Sequence, residues 1–265
     1  MINLLVAEYE KMKRYSILWI GVAGIVFAAA LAAFQTVSGT ERPPAFNTYA
    51  STVIWDNFSL VFPWLITLLG GFLIDREYTD STLKNIITIP ISLKKLLTGK
   101  LLATGIITIF LAFLSFICTL LVGGVFLHCT DLTLSDAAIA LGQIVGIAFF
   151  NFLAVSPIIT WFSRKRGSFF TGVGIAFFYG FCGIFAAGRG LEDFYPITAG
   201  LGIVRFTEPG GETYSSLRGI AALVIMVILT GGLLAATPDY DTVMAAAKGP
   251  RKIVIHEKKS IGSGD

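Results

Sequence analysis

Few residues of this chain are of the types that do chemistry, and their spacing argues against catalysis. A phosphate-cradling loop needs G-x-x-x-x-G-K-[ST], whose backbone amides and lysine hold the phosphates. The one Gly-Lys pair, Gly99-Lys100, has Lys94 where the first glycine belongs and Leu101 where Ser or Thr belongs. No HExxH or GxSxG is present. Cys118, Cys129 and Cys182 are scattered and odd in number, which gives neither a disulfide framework nor a metal pattern. His128 and His256 are far apart, and neither reads as a ligand. The expectation is no catalytic residue, no metal and no cofactor on this chain.

The remaining polar chemistry lies inside or beside apolar runs. Asp56 is the one borderline ionisable residue there, next to Asn57. Ionisable groups within a span usually mark a substrate or ion path. An acid resting at the membrane interface is the plainer reading. Gln143, Asn151, Ser156 and Thr160 fall in one later run, where residues 143, 147 and 150 or 151 share a helical face. Asp56, Asn57, Gln143 and Asn151 are therefore candidate path-lining residues. Hydrogen bonds between helices explain those of the later run equally well. Pro157 should kink that helix near one end.

The elements that position these residues follow from composition. Of 265 residues, 55% are hydrophobic and 14% charged, and the mean hydropathy is +0.77. A soluble domain carries about 25% charged residues. Six runs approach or exceed the roughly 20 residues that cross a bilayer. They are 16–37, 58–74, 101–127, 137–162, 168–188 and 219–237, and none contains Asp, Glu, Lys or Arg. The second is short and extends back to 54 if Asp56 and Asn57 are included. The first follows Lys11, Lys13 and Arg14 like a signal peptide, but it is long for one and five more runs follow. It reads as a span.

Lysine and arginine set the orientation. Sixteen of the 20 fall at the N-terminus, in 75–100, in 164–166 and in the tail; only Arg42, Arg189, Arg205 and Arg218 fall on the other side. The expected fold is an all-α membrane protein with six transmembrane helices and both termini cytoplasmic. Residues 1–237 form the six-span domain and 238–265 a cytoplasmic tail. Between the last two spans, the apolar stretch 195–204 is too short to cross. It is either an ordinary loop or a re-entrant segment shielded by protein. Gly142 and Gly146 form a GxxxG pair that permits close helix approach.

The longest internal loop, 75–100, reads DREYTDSTLKNIITIPISLKKLLTGK. Leu83, Ile86 and Ile87 keep helical spacing until Pro90, which should end that helix. Ser92 is a candidate N-cap for a second short helix carrying Leu93, Leu96 and Leu97 on one face. Two short amphipathic helices either lie on anionic headgroups or offer their apolar anchors to a partner. The acids Asp75, Glu77 and Asp80 argue against a purely lipid-facing role.

The run Arg76-Glu77-Tyr78, then Thr82-Leu83-Lys84, Pro90-Ile91-Ser92, Leu96-Leu97 and Lys100, resembles the loop between the second and third spans of ABC-2-type transporter permeases. Glu8, Lys11 and Tyr15, before the first span, resemble that family's amphipathic N-terminal helix. Within the family the pattern looks nearest to bacitracin-resistance and lantibiotic-immunity permeases. The resemblance implies a cytoplasmic coupling helix in this loop, docking on separate P-loop ABC ATPase subunits that carry ATP and Mg. It also implies a second permease copy or paralogue and a place in the cell membrane of a bacterium. Glu77, Thr82, Leu83, Lys84, Pro90 and Lys100 would then contact the ATPase or shape the loop that does. An ion-coupled secondary transporter or channel and a non-transport scaffold remain the alternatives; scarce intramembrane charge counts against ion coupling.

Overall fold

A computed structural model describes residues 16–39, 43–79, 93–164, 167–187, 189, 191, 194–206 and 216–237. Among them the regular secondary structure is helical, apart from one isolated bridge between Ala45 and Thr130. Helix α1 is Ile17–Gly39. Helix α2 (Phe46–Asp56) runs through a π-helical turn, Asn57–Val61, into α3 (Phe62–Thr79). Helix α4 (Leu93–Leu121) ends in a second π turn, Val122–Phe126. Then come α5 (Leu134–Phe162), α6 (Phe169–Ala186), a short α7 (Pro196–Ile203) and α8 (Ser216–Ala235).

Six of these helical units are long and apolar enough to cross a membrane. Their outward faces are apolar, with Trp19, Phe27, Phe34, Phe178 and Ile228 exposed, as expected when lipid is the solvent. The protein is a multi-pass membrane protein. Successive spans alternate in direction, so one end of the bundle gathers Ile17, Glu77, Leu93, Phe162 and Phe169. The other gathers Gly39, Phe46, Phe126 and Leu134. The first is called the basic end below, for the sequence segments that flank it.

The α2–π–α3 rod is the axle of the bundle. In its most apolar window 78% of residues are buried, against at most 39% in any other span. It packs against α1, α4, α5 and α6. The rod starts at Phe46, well before residue 54. The link before it is pinned across the bundle, where Phe46 N donates to Thr130 O (3.1 Å) and Thr130 N to Pro44 O (3.1 Å). Pro63 explains the π turn: it has no N–H to donate to Ser59, and the neighbouring Phe62 N–H reaches five residues back to Asn57 O.

Pro157 lies inside α5 and creates the same deficit at Leu153 O. Here a side chain fills it: Ser156 Oγ lies 2.9 Å from Leu153 O and 2.7 Å from Thr230 Oγ1 of α8. The proline thus frees a carbonyl that a span-to-span hydrogen-bond chain uses. Arg164, just past α5, donates to Leu233 O near the end of α8 and stacks 5.5 Å from the Trp161 ring. A cation there suits the negative end of the helix.

One expectation changes and one open alternative is resolved. Leu93, Leu96 and Leu97 do not belong to a separate short helix; they are the buried first turns of the unbroken α4. The stretch 195–204 is not an open loop. It forms α7, buried from Ile197 to Leu201 and on to Gly202, and packed against α5 and α8. Enclosure by protein satisfies a short helix that could not span alone. The expected N-terminal amphipathic helix, the coupling helix and the tail lie outside the described residues.

Candidate functional site

The axle carries two polar centres, one near each end. At the basic end, Glu77 in the last turns of α3 meets Lys100 in the second turn of α4. Lys100 Nζ lies 3.0 Å from Glu77 Oε1, and the side chains are 2% and 7% exposed respectively. These residues stand 23 apart in sequence and bracket the loop 80–92. Long-range packing brings them together: Leu93, Leu96 and Leu97 bury one face of α4 and leave Lys100 turned inward, where only an acid makes it tolerable.

Two residues earlier on α3, Asp75 Oδ1 accepts the Gly167 N–H at 2.6 Å. Gly167 has φ of 72°, a left-handed conformation that favours glycine, so the α5–α6 turn presents its amide there. The end of α3 therefore anchors both adjoining connections. Beside it a groove of about 510 Å³ runs between α1, α3 and α6, walled by Ile17, Leu68, Phe72 and Phe170, with Asp75 and Arg76 also lining it.

The second centre lies around the π turn. Asp56 is 2% exposed and accepts from Gln35 Nε2 of α1 at 3.3 and 3.2 Å. Asn57 is fully buried and donates through Nδ2 to Ser115 Oγ of α4 at 3.0 Å, while its Oδ1 has no partner. Asp56 is thus enclosed by helices. Ser115→Ala should remove the acceptor of a buried amide and lower stability by about 1–2 kcal/mol. Unfolding in mild detergent with rising SDS reads this; an unchanged midpoint would deny the contact its weight.

The other candidate path residues are not brought to this centre. Asn151 bonds its own helix at Ile147 O (3.1 Å) and is buried. Gln143 Nε2 reaches the backbone after α7, at Val204 O (3.5 Å) and Arg205 O (3.4 Å). Gln143 also walls a small cavity of about 250 Å³ with Asn47, Ser51 and Asp136. Of the GxxxG pair, Gly142 faces open space and Gly146 packs against Val204 within the chain. Thr82, Leu83, Lys84 and Pro90 lie outside the described residues. Among the described residues no three or more of His, Cys, Asp and Glu cluster as a metal-ligand set.

The family model for ABC-2 family transporter proteins matches residues 4–183, more than half of the chain. The chain belongs to the ABC-2 transporter family. No curated protein matches it. In ABC transporters this family supplies the membrane component, which generally lacks an ATPase of its own. The match takes in the whole axle, both polar centres and the 80–92 loop, and it stops before α7 and α8. Sequence reasoning missed the burial of Lys100 and the π turn; Pro63, inside an apolar run, was the available signal for the turn.

Proposed function

We propose that this chain is the permease subunit of an ATP-driven exporter, with its basic end cytoplasmic. Separate P-loop ATPase subunits dock on the segment between α3 and α4, and a second permease copy or paralogue completes the path. The observation that carries the reading is the buried Glu77–Lys100 pair. It ties the two stems of that segment to the axle, so a push on the segment moves α3 and α4 together. A loop meant only to connect two spans has no need of a buried ion pair at its base. Glu77 and Lys100 are shielded from solvent, so their role is to hold the loop; Thr82, Leu83, Lys84 and Pro90 are left to meet the partner.

The transported class is an amphipathic molecule, such as an antimicrobial peptide of the bacitracin or lantibiotic type. The apolar and aromatic groove with Asp75 and Arg76 among its lining residues suits such a substrate. Alternating access would then carry it outward.

Co-purification tests the docking. Tagged permease expressed with its host's ATPases should retain a P-loop ATPase. The variants Lys84→Glu and Pro90→Ala should lose it while the melting temperature of the permease stays unchanged. A stable wild-type permease that retains no ATPase, and moves no amphiphile in ATP-loaded proteoliposomes, would overturn the reading.

A further inference from the structure

Two carboxylates are buried in the same axle, and their surroundings differ in one respect. Glu77 has a lysine ammonium 3.0 Å away. Asp56 has no such partner: among the described residues, no lysine, arginine or histidine lies within ion-pair distance of it. Its polar contact is one neutral amide, Gln35 Nε2, shared between its two oxygens at 3.3 and 3.2 Å. A single shared N–H does not offset the desolvation of a full negative charge. A carboxylate held this way is stable only when something else neutralises it.

Among the described residues, the neighbouring helices place no lysine or arginine beside Asp56. Helix α1 has no ionisable residue at all. On α4 the thiol of Cys118 is the only titratable group in the half that meets the π turn. Lys94, Lys95 and Lys100 sit at the opposite end, Lys100 fifteen residues before Ser115, or about 22 Å along the helix. Helix α5 offers Asp136, which is bound to Asn47 (3.4 Å), and Asn47 lies nine residues or about 13 Å before Asp56. Helix α6 brings Tyr179 and Cys182, and α7 carries none, with Arg205 beyond its end. Tyr49 stands on the axle itself, and His128, Cys129 and Asp131 occupy the link after α4. Asp131 and Asp136 in this set carry the wrong sign.

Access is also built in. Gln35 is exposed while Asp56 behind it is buried, and Gln35 lies one turn from the end of α1 at Gly39. The exposed Gln35 is thus the group in contact with the carboxylate, near the end of the bundle opposite the basic end. Thr36 Oγ1 and Thr52 Oγ1 meet at 3.5 Å across the same α1–α2 contact and add oxygen donors to the locality. On the other side of the axle, the buried Asn57 Oδ1 lacks a donor.

We infer that Asp56, lidded by Gln35, is a monovalent-cation site, occupied by a proton or by Na⁺. The site gives this protein an ion-binding activity separate from any ATPase docking, at the end of the axle remote from Glu77 and Lys100. Occupancy neutralises Asp56 and holds α1 against α2. Release leaves an unaccompanied charge in the packing and favours a state in which Gln35 swings away and water reaches the carboxylate.

The test uses the full chain in lipid nanodiscs without ATPase or nucleotide, so its outcome is independent of the export reading. Infrared difference spectra are recorded for wild type and Asp56→Asn from about pH 5 to about pH 9, in choline or Na⁺ at equal ionic strength. The expected result is a protonated-carboxyl C=O band at the acid end that Asp56→Asn lacks and that fades as pH rises. Fading at the same pH in both salts assigns the proton alone; fading at lower pH in Na⁺ than in choline assigns Na⁺ as a competing occupant. Labelling of wild type with an apolar carbodiimide, read on the Asp56 peptide by mass spectrometry, must follow the same pH and salt dependence. This second reading stands even if Asp56→Asn folds poorly. Absence of any Asp56 band together with an unlabelled Asp56 peptide at every pH means an ionised, self-sufficient carboxylate, and overturns the inference.

Discussion

Lys100→Met alone should lower the stability of the bundle by about 3–5 kcal/mol, and Glu77→Gln alone by a comparable amount. Each change takes the opposite charge away from its former partner, and Lys100 is 2% and Glu77 6% exposed. Combining them should recover most of the loss. A buried ion pair replaced by neutral groups of similar volume is often close to neutral in stability, since both desolvation costs vanish with the attraction. The coupling energy in such a cycle should therefore be large and favourable to the double variant, well outside the error of additive behaviour. SDS-driven unfolding in mild detergent measures all four corners. Four nearly additive, small effects would mean that the pair is not the clamp described. The double variant also separates two roles. If the pair only holds the loop, Glu77→Gln/Lys100→Met regains ATPase retention along with stability, and that is the expected result. If either charge touched the ATPase, retention would stay lost in a well-folded protein.

That pair illustrates what a single sequence carries and what it withholds. The six spans were legible because a bilayer demands about 20 apolar residues from each, and composition alone satisfies the demand. The beginning of α2 was not legible. Asn47, Thr48, Ser51 and Thr52 look like loop, yet Thr52 Oγ1 bonds Thr48 O at 2.9 Å and Asn47 bonds Asp136 across the bundle at 3.4 Å. Polar residues whose needs are met inside a helix leave no apolar trace. Lys100 was counted with the solvated charges of a loop, because the acid that buries it is 23 residues distant and reached only by tertiary packing. Asp56 read as an interfacial acid for a related reason: its enclosure depends on α1 and α4 closing around the π turn. The short α7 was open between two readings, since periodicity over eight residues cannot report what surrounds them.

Gly180→Ala should be among the most damaging single-methyl additions in the molecule, although it exchanges a poor helix former for the best one. A Cβ at Gly180 would fall on the backbone oxygen of Ser59, 2.7 Å from Pro63 Cγ and 3.0 Å from Pro63 Cβ. Neither can retreat in the way a flexible side-chain tip does. The oxygen belongs to the π turn of the axle, and the ring belongs to the proline that causes the turn. Relief requires α3 and α6 to separate, and the expected cost is about 1–3 kcal/mol, more for Gly180→Val. Gly174 on the same helix is the internal control. A Cβ there meets nothing within 4 Å, so Gly174→Ala should be neutral or slightly stabilising, by up to about 1 kcal/mol. Thermal melts of the two alanine variants in one detergent provide the comparison, and equal melting temperatures would show that the crossing is loose. A tight crossing has a mechanical consequence. Asp56 lies on the same axle three residues before Ser59, which Gly180 contacts, so widening the α3–α6 contact should reach the acid without touching it. In Gly180→Ala the infrared or carbodiimide titration of Asp56 should therefore shift, whereas in Gly174→Ala it should coincide with wild type.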